Sequence, residues 1–182
     1  MPATPGETSA IEHELRIAAR PETVFGYFTD PEKLVKWMGA EATLDPRPGG
    51  VCRIGFQPIQ QQLDAARTAV TGTPDEGLEG LGLVGTMMGE FVEVEPYSRI
   101  AFTWGWEQAP FTVPPQSTEV EVSFTPDGDG TIMRFAHRRL PVAAVEFHRA
   151  GWDHFLPRLA IAAAGGDPGP DPWQAGATAE SS

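Results

Sequence analysis

Three histidines and one acidic residue are the side chains whose types and positions could move protons. His13, His137 and His148 fall on the apolar side of a predicted strand or helix, and Glu90 lies near the end of a predicted strand. A histidine titrates near neutral pH, and a carboxyl group removed from water is harder to ionise, so either can act as a general acid or base. His137, His148 and Glu90 are therefore candidate catalytic residues. The alternatives are a core histidine with satisfied hydrogen bonds and an acid that faces solvent.

The sequence offers little for metal, covalent or cofactor chemistry. A metal site needs three or four convergent ligands, and His148 and His154 are spaced to point apart on a helix. Cys52 has inward parity on its strand but no neighbouring base, which favours an inert buried thiol. Glycine-rich phosphate loops, nucleophile elbows and dinucleotide fingerprints are absent from the sequence. We expect neither a metal nor a cofactor.

Aromatic and apolar side chains share the predicted inner faces. Trp104 and Trp106 point to one side of a strand, and two helices supply Trp37 and Trp152. Aromatic residues on one face usually form a core, but in a fold that surrounds a cavity they also form its wall. The candidate ligand-binding residues are Trp37, Ile54, Phe56, Met88, Phe102, Trp104, Trp106, Val120, Met133, Phe135, His148, Trp152 and Phe155.

The elements that position these residues are one strand, two short helices, six strands and a long helix. Alternating apolar residues predict strands at residues 11–17, 40–44, 51–56, 89–94, 100–106, 118–124 and 131–137. Spacings of three and four predict the last helix, which Gly165 and Gly166 end. A sheet with one apolar face must bury that face, and the final helix is its available partner. The order predicts an α+β helix-grip fold, a curved antiparallel sheet around a long C-terminal helix with an internal cavity.

Composition excludes several classes of function. The formal net charge of −12 and the absence of a basic stripe argue against nucleic-acid binding. The sequence contains no run of about 18 apolar residues, so no membrane span is predicted. The single cysteine and the lack of a signal-peptide pattern favour a cytoplasmic protein.

Ordered sequence segments carry a family resemblance. They are ARPETVF (19–25), FTDPE (28–32), RPGG (47–50), GEFVEVEP (89–96), RIAFTW (99–104), SFTPDG (123–128), HRRLP (137–141) and GW (151–152). In this order they resemble the heat-shock ATPase activator homologue (AHSA) branch of the START-like SRPBCC superfamily, whose members include polyketide cyclase-like proteins. The resemblance implies a helix-grip fold with a ligand cavity. It supplies no shared catalytic set.

The extent of this resemblance and the composition of the tails predict the domain boundaries. Residues 11–164 are predicted to form one START-like domain, with disordered tails at 1–10 and 165–182. An insertion at 57–85 departs from the family pattern. Its Ile59, Leu63, Ala66 and Val70 fall at helical spacing, which predicts a helix. This helix is either a lid at the cavity mouth, a homodimer contact or a family-specific decoration packed on the surface.

Three functions remain open from the sequence. The first is binding of a hydrophobic small molecule, aromatic or lipid-like, in the internal cavity. The second is a cyclase-, dehydratase- or hydrolase-like enzyme that acts on such a molecule. The third, which only the resemblance implies, is a chaperone-associated interaction module. A buried acid or histidine beside a cavity favours the second, and a filled core favours the third.

Overall fold

A computed structural model describes residues 8–56, 85–107 and 113–169 of the 182-residue chain. Its elements are β1 (Thr8–Ile17), α1 (Pro21–Thr29), α2 (Pro31–Leu34), β2 (Glu41–Leu44), β3 (Val51–Phe56), β4 (Gly85–Glu95), β5 (Arg99–Trp104), β6 (Thr118–Asp127), β7 (Gly130–Pro141) and α3 (Val145–Ala163). A short 3₁₀ turn, Val142–Ala144, leads from β7 into α3. Within the described residues, no helix is long and apolar enough to cross a bilayer.

One antiparallel sheet holds the seven described strands in the order β1-β7-β6-β5-β4-β3-β2. The first strand pairs with the last, and α1 and α2 carry the chain from one edge of the sheet to the other. The curved sheet and the long C-terminal helix confirm the predicted helix-grip fold and its order of elements.

Several strands are longer than the alternation of apolar residues predicts. β1 begins at Thr8, inside the segment predicted to be a tail, and β4 begins at Gly85, at the end of the predicted insertion. β5 ends at Trp104, and Trp106 forms a separate bridge with Met87. Gly105 explains the break, because a side chain there would overlap the carbonyl group of Pro114, which crosses at this point. In β1 the polar Thr8 and Ser9 continue the backbone pairing with β7 without adding to the apolar pattern.

The two short helices begin as the sequence predicts. Proline occupies the first turn of each, and the Asp30 carboxylate accepts a hydrogen bond of 2.9 Å from the Glu32 amide at the start of α2. The Tyr27 hydroxyl donates to the carbonyl oxygen of Ala162 at 3.0 Å, which ties α1 to the end of α3.

The core lies between the inner face of the sheet and the helices. Alternate residues of β6 are buried, and α3 buries one face at spacings of three and four. The buried face of α3 consists of Val145, His148, Trp152, Phe155, Leu156, Leu159, Ala162 and Ala163.

Parts of the predicted insertion and tails lie outside the described residues. These are the predicted helix with Ile59, Leu63, Ala66 and Val70, and the tail from residue 170 onward. Residues 165–169, which the sequence assigns to the tail, are described. There the Arg158 guanidinium donates to the carbonyl oxygens of Pro168 at 3.1 Å and Gly169 at 2.8 Å.

Candidate functional site

Trp104 is the centre of an aromatic cluster between the sheet and α3. Its ring centroid lies 5.0 Å from that of Trp152 on α3, and 5.7 Å from that of Trp106. Phe135 of β7 packs against the other side of Trp152 at 4.5 Å. We call this set the aromatic interior. Its members are Phe56, Phe102, Trp104, Trp106, Phe135, His137, His148, Trp152 and Phe155.

His137 is held in one tautomer by two neighbours. The indole N–H of Trp152 donates to His137 Nδ1 at 3.1 Å, so this nitrogen carries no proton. His137 Nε2 must then carry the proton and donate to Thr118 Oγ1 at 2.7 Å. The Thr118 hydroxyl in turn donates to the carbonyl oxygen of Trp104 at 2.8 Å. Every polar atom of the His137 ring is therefore used within the protein.

His148 has the same arrangement with its nitrogens exchanged. The indole N–H of Trp106 donates to His148 Nε2 at 3.1 Å. The proton therefore sits on Nδ1, which donates to the carbonyl oxygen of Ala144 at 2.8 Å. The two imidazole centroids are 5.2 Å apart, yet the rings do not share a hydrogen bond.

Both histidines are neutral in the folded protein. Burial lowers the pKa of His137 well below its ordinary value, and the nearby His148 lowers it further. Burial also lowers the pKa of His148, and its hydrogen bond to Ala144 offsets part of that effect. Neither ring has a lone pair left for a substrate proton while these hydrogen bonds persist.

The Trp104 side chain has no hydrogen-bond partner among the described residues. The structure describes four tryptophans, and the indole groups of Trp37, Trp106 and Trp152 donate to Tyr27, His148 and His137. Trp104 Nε1 is buried, and no acceptor among the described residues reaches it. Buried donors are nearly always paired in folded proteins, which sets this group apart from the rest of the core.

Three aromatic side chains form the most accessible part of the aromatic interior. Phe56, Trp106 and Phe155 are 8%, 6% and 7% exposed, whereas Trp104 and Trp152 are 3% and 2% exposed. The Phe56 ring lies 5.5 Å from Trp106 and 5.8 Å from Phe155. We call these three residues the aromatic rim. Phe56 ends β3, Trp106 lies two residues beyond β5, and Phe155 is in the middle of α3, so the fold alone brings them together.

Other candidate ligand-binding residues lie elsewhere in the core. Trp37 packs on Phe28 at 5.2 Å, away from the rings around Trp104. Ile54, Val120 and Met133 are buried members of the common core.

Two candidates on β4 lie on the opposite face from the core. Because β4 begins at Gly85, its inward positions include Met87 and Phe91, both fully buried. Met88 and Glu90 alternate with these positions and are only partly buried. The structure thus places Met87, rather than the predicted Met88, in the core. The apolar alternation predicts a strand that begins only at Gly89, so it does not show which of the two methionines faces inward.

The outer face of the sheet carries a charged groove of about 500 Å³. Arg138 contacts Glu121 at 2.8 Å, and Arg134 contacts Glu14 at 2.8 Å. The Arg138 guanidinium lowers the pKa of Glu121 through this hydrogen bond and its charge. His13 lies at the rim of the groove, 3.5 Å from an Asp153 oxygen. Among the described residues, no group of three or more potential ligands is arranged to hold a metal ion.

Comparisons with known proteins agree with this geometry. The family model of Activator of Hsp90 ATPase homolog 1-like proteins matches residues 18–164. The AHSA1-like protein RHE_CH02687 from Rhizobium etli is 38% identical, and the alignment covers 91% of this chain and 88% of that one with a TM-score of 0.60. The chain belongs to this AHSA1-like family. No curated protein sequence matches it.

More distant solved structures share the fold. CalU16 from Micromonospora echinospora is 21% identical, with 86% of this chain and 77% of that one covered and a TM-score of 0.60. PFC0360w, described as an HSP90 activator from Plasmodium falciparum, is 18% identical, with 84% and 94% covered and a TM-score of 0.59. At this identity the likeness extends to the fold alone.

Proposed function

We propose that this AHSA1-like protein binds a hydrophobic small molecule in the aromatic interior, between the sheet and α3. The aromatic rim carries this proposal. Phe56, Trp106 and Phe155 meet where β3, β5 and α3 converge, and each keeps a small accessible area. A ligand that covers these rings gains the free energy of apolar burial and of ring contacts.

Binding fits the buried polar groups better than catalysis does. A general base needs a lone pair within reach of its substrate. In both histidines the nitrogen with the lone pair already accepts a hydrogen bond from a tryptophan N–H group. Glu90 lies on the opposite face of β4 from the buried Met87 and Phe91. A cyclase-like or hydrolase-like activity would first have to break one of the tryptophan–histidine bonds.

A chaperone-associated role is the second candidate. The family name and the likeness to an HSP90 activator favour it. The charged groove on the outer face of the sheet, with Arg99, Arg134 and Arg138, is the surface suited to a protein partner because its charges are exposed and paired only at the surface. A test is co-purification with the Hsp90 of the same organism. Loss of co-purification in Arg134→Glu, together with its retention in Phe155→Ala, would favour this role over ligand binding.

Native mass spectrometry of the protein purified from its own host tests ligand binding directly. We expect a noncovalent adduct that organic solvent releases. Fluorene, a neutral three-ring hydrocarbon, serves as a probe, and its binding is measured by titration calorimetry. Phe155→Ala should weaken fluorene binding about 5-fold or more, because a buried aromatic contact is lost. Ile161→Ala, on the exposed side of α3, is the matched control and should leave binding unchanged. Absence of both an adduct and saturable fluorene binding would overturn the proposal.

A further inference from the structure

The indole N–H of Trp104 is a buried hydrogen-bond donor. The Trp104 side chain is 3% exposed, and its Nε1 has no acceptor among the described residues. Leaving such a donor without an acceptor costs free energy, and the other described tryptophans avoid that cost. This unpaired donor is in the middle of the rings on which the proposed function depends.

Neighbouring side chains cannot supply the missing acceptor. His137 Nδ1 accepts from Trp152, and His148 Nε2 accepts from Trp106. Their other nitrogens carry protons, which are donated to Thr118 and to the carbonyl oxygen of Ala144. Trp104 could gain an imidazole acceptor only if another indole lost its own. The acceptor must therefore come from outside this network.

The surroundings also limit the charge of that acceptor. The buried polar side chains of the described residues are Thr118, Thr131, His137 and His148, and none is a cation. Protonation of either histidine would break a tryptophan hydrogen bond, because the protonated ring has no acceptor. A carboxylate beside Trp104 would thus be a buried charge without a counter-ion, which is strongly unfavourable.

We infer that Trp104 Nε1 is a polar subsite for a neutral, ring-containing ligand with a carbonyl oxygen that accepts this hydrogen bond. This inference rests on the proposed function and narrows its ligand class. Aromatic ketones and quinones fit the subsite, because their rings can stack in the aromatic interior while the oxygen pairs with the indole. A pure hydrocarbon would leave the Trp104 N–H unpaired. A fatty acid would bring a negatively charged carboxylate, which the buried surroundings disfavour.

A matched set of probes tests the subsite. Fluorene and 9-fluorenone share three rings and differ at one carbon, which is a methylene in the first and a carbonyl in the second. Fluorene-9-carboxylate adds a negative charge. Dissociation constants for all three should be measured with the full chain and with Trp104→Phe. The ratio of the fluorene constant to the fluorenone constant should fall about 3- to 10-fold in Trp104→Phe, the range for one net hydrogen bond. Using the ratio cancels the difference in hydration between the probes.

Nuclear magnetic resonance provides a readout that requires no stable variant. In ¹⁵N-labelled protein each tryptophan gives one indole N–H peak, and Trp104 should lie upfield of its hydrogen-bonded counterparts. Fluorenone should move this peak downfield, and fluorene should not. The Trp104 peak is identified by its absence from the Trp104→Phe spectrum or, if that variant does not fold, by through-bond and through-space assignment of the full chain.

The outcomes separate this inference from the proposed function. Suppose that fluorene and fluorenone both bind, that the ratio of their dissociation constants is the same in Trp104→Phe, and that the Trp104 indole peak does not move. The subsite is then refuted, while ligand binding stands. That result would mean that the N–H merely faces an aromatic ring. Carboxylate binding as tight as that of fluorenone would refute the requirement for a neutral ligand. Failure of every probe to bind, with no adduct in the native protein, would overturn both.

Discussion

Replacing Trp152 separates the two ways in which α3 is held to the sheet. Trp152 is 2% exposed, packs against Phe135 and Trp104, and donates a hydrogen bond to His137. Trp152→Phe keeps most of the ring packing and removes the donor. Trp152→Ala removes both. The difference between the two variants therefore measures packing, and the loss in Trp152→Phe measures the hydrogen bond.

The expected losses follow from these contacts. Truncating a buried aromatic side chain to alanine costs about 3–5 kcal/mol, since the surroundings collapse only partly. Trp152→Phe leaves His137 Nδ1 as a buried acceptor without a donor, which costs about 1–3 kcal/mol. Ile161→Ala is the control, because Ile161 lies on the same helix and is 46% exposed. It should change stability by less than about 0.5 kcal/mol.

Urea unfolding at pH 7.5, followed by circular dichroism, gives the three free energies. The dependence of the unfolding free energy on urea should match that of the original chain, so that a shift in midpoint reports stability. A loss below about 1 kcal/mol for Trp152→Ala would refute the placement of Trp152 in the core. Equal losses for Trp152→Phe and Trp152→Ala would show that packing contributes little.

Three further predictions concern the two buried histidines, a pair of glycines and the buried cysteine. The pKa values of His137 and His148 are lowered in the folded protein, so the unfolded chain binds more protons in acid. The unfolding free energy should therefore be highest above about pH 7, and below the ordinary pKa of 6.5 it should fall by up to about 1.4 kcal/mol per pH unit for each histidine. Urea unfolding at pH 7.5, 6.5 and 5.5 checks this, and a flat profile would contradict it. Gly89→Ala should cost about 1–3 kcal/mol because the new methyl group overlaps a carbonyl of β5, whereas Gly151→Ala, with open space around it in α3, should add about 0.5–1 kcal/mol in the same assay. Burial raises the pKa of the Cys52 thiol far above its ordinary value, so Ellman's reagent should react with it only at the rate of unfolding; prompt reaction with the folded protein would show that the thiol is accessible.

The fold could be predicted from the sequence because several local signals agree. Apolar alternation identifies the strands, prolines and Asp30 mark the helix starts, and the stripe on α3 needs the one apolar face of the sheet. Inward parity also predicts that Trp104, Trp106 and Trp152 are buried, as the structure shows.

Hydrogen-bond partners could not be predicted in the same way. They depend on which residues of β5, β6, β7 and α3 lie opposite one another, and an apolar pattern carries no such information. Thr118 shows the limit. Its inward parity is readable, but its bonds to Trp104 and His137 depend on the register of three strands. The unpaired N–H of Trp104 is found only after every other donor has been assigned.

The two tryptophan–histidine bonds run in opposite directions across the interface between helix and sheet. Trp152 of α3 donates to His137 of β7, while Trp106, just beyond β5, donates to His148 of α3. A helix that slid or turned by one residue would rise about 1.5 Å and rotate by about 100°, and both bonds would break together. Four buried polar groups would then lack partners, at a cost that apolar contacts alone would not impose. The pair therefore fixes the position of α3 on the sheet. It also occupies the acceptor nitrogens of both histidines, so the Trp104 indole between the two bonds has no acceptor in the described part of the chain.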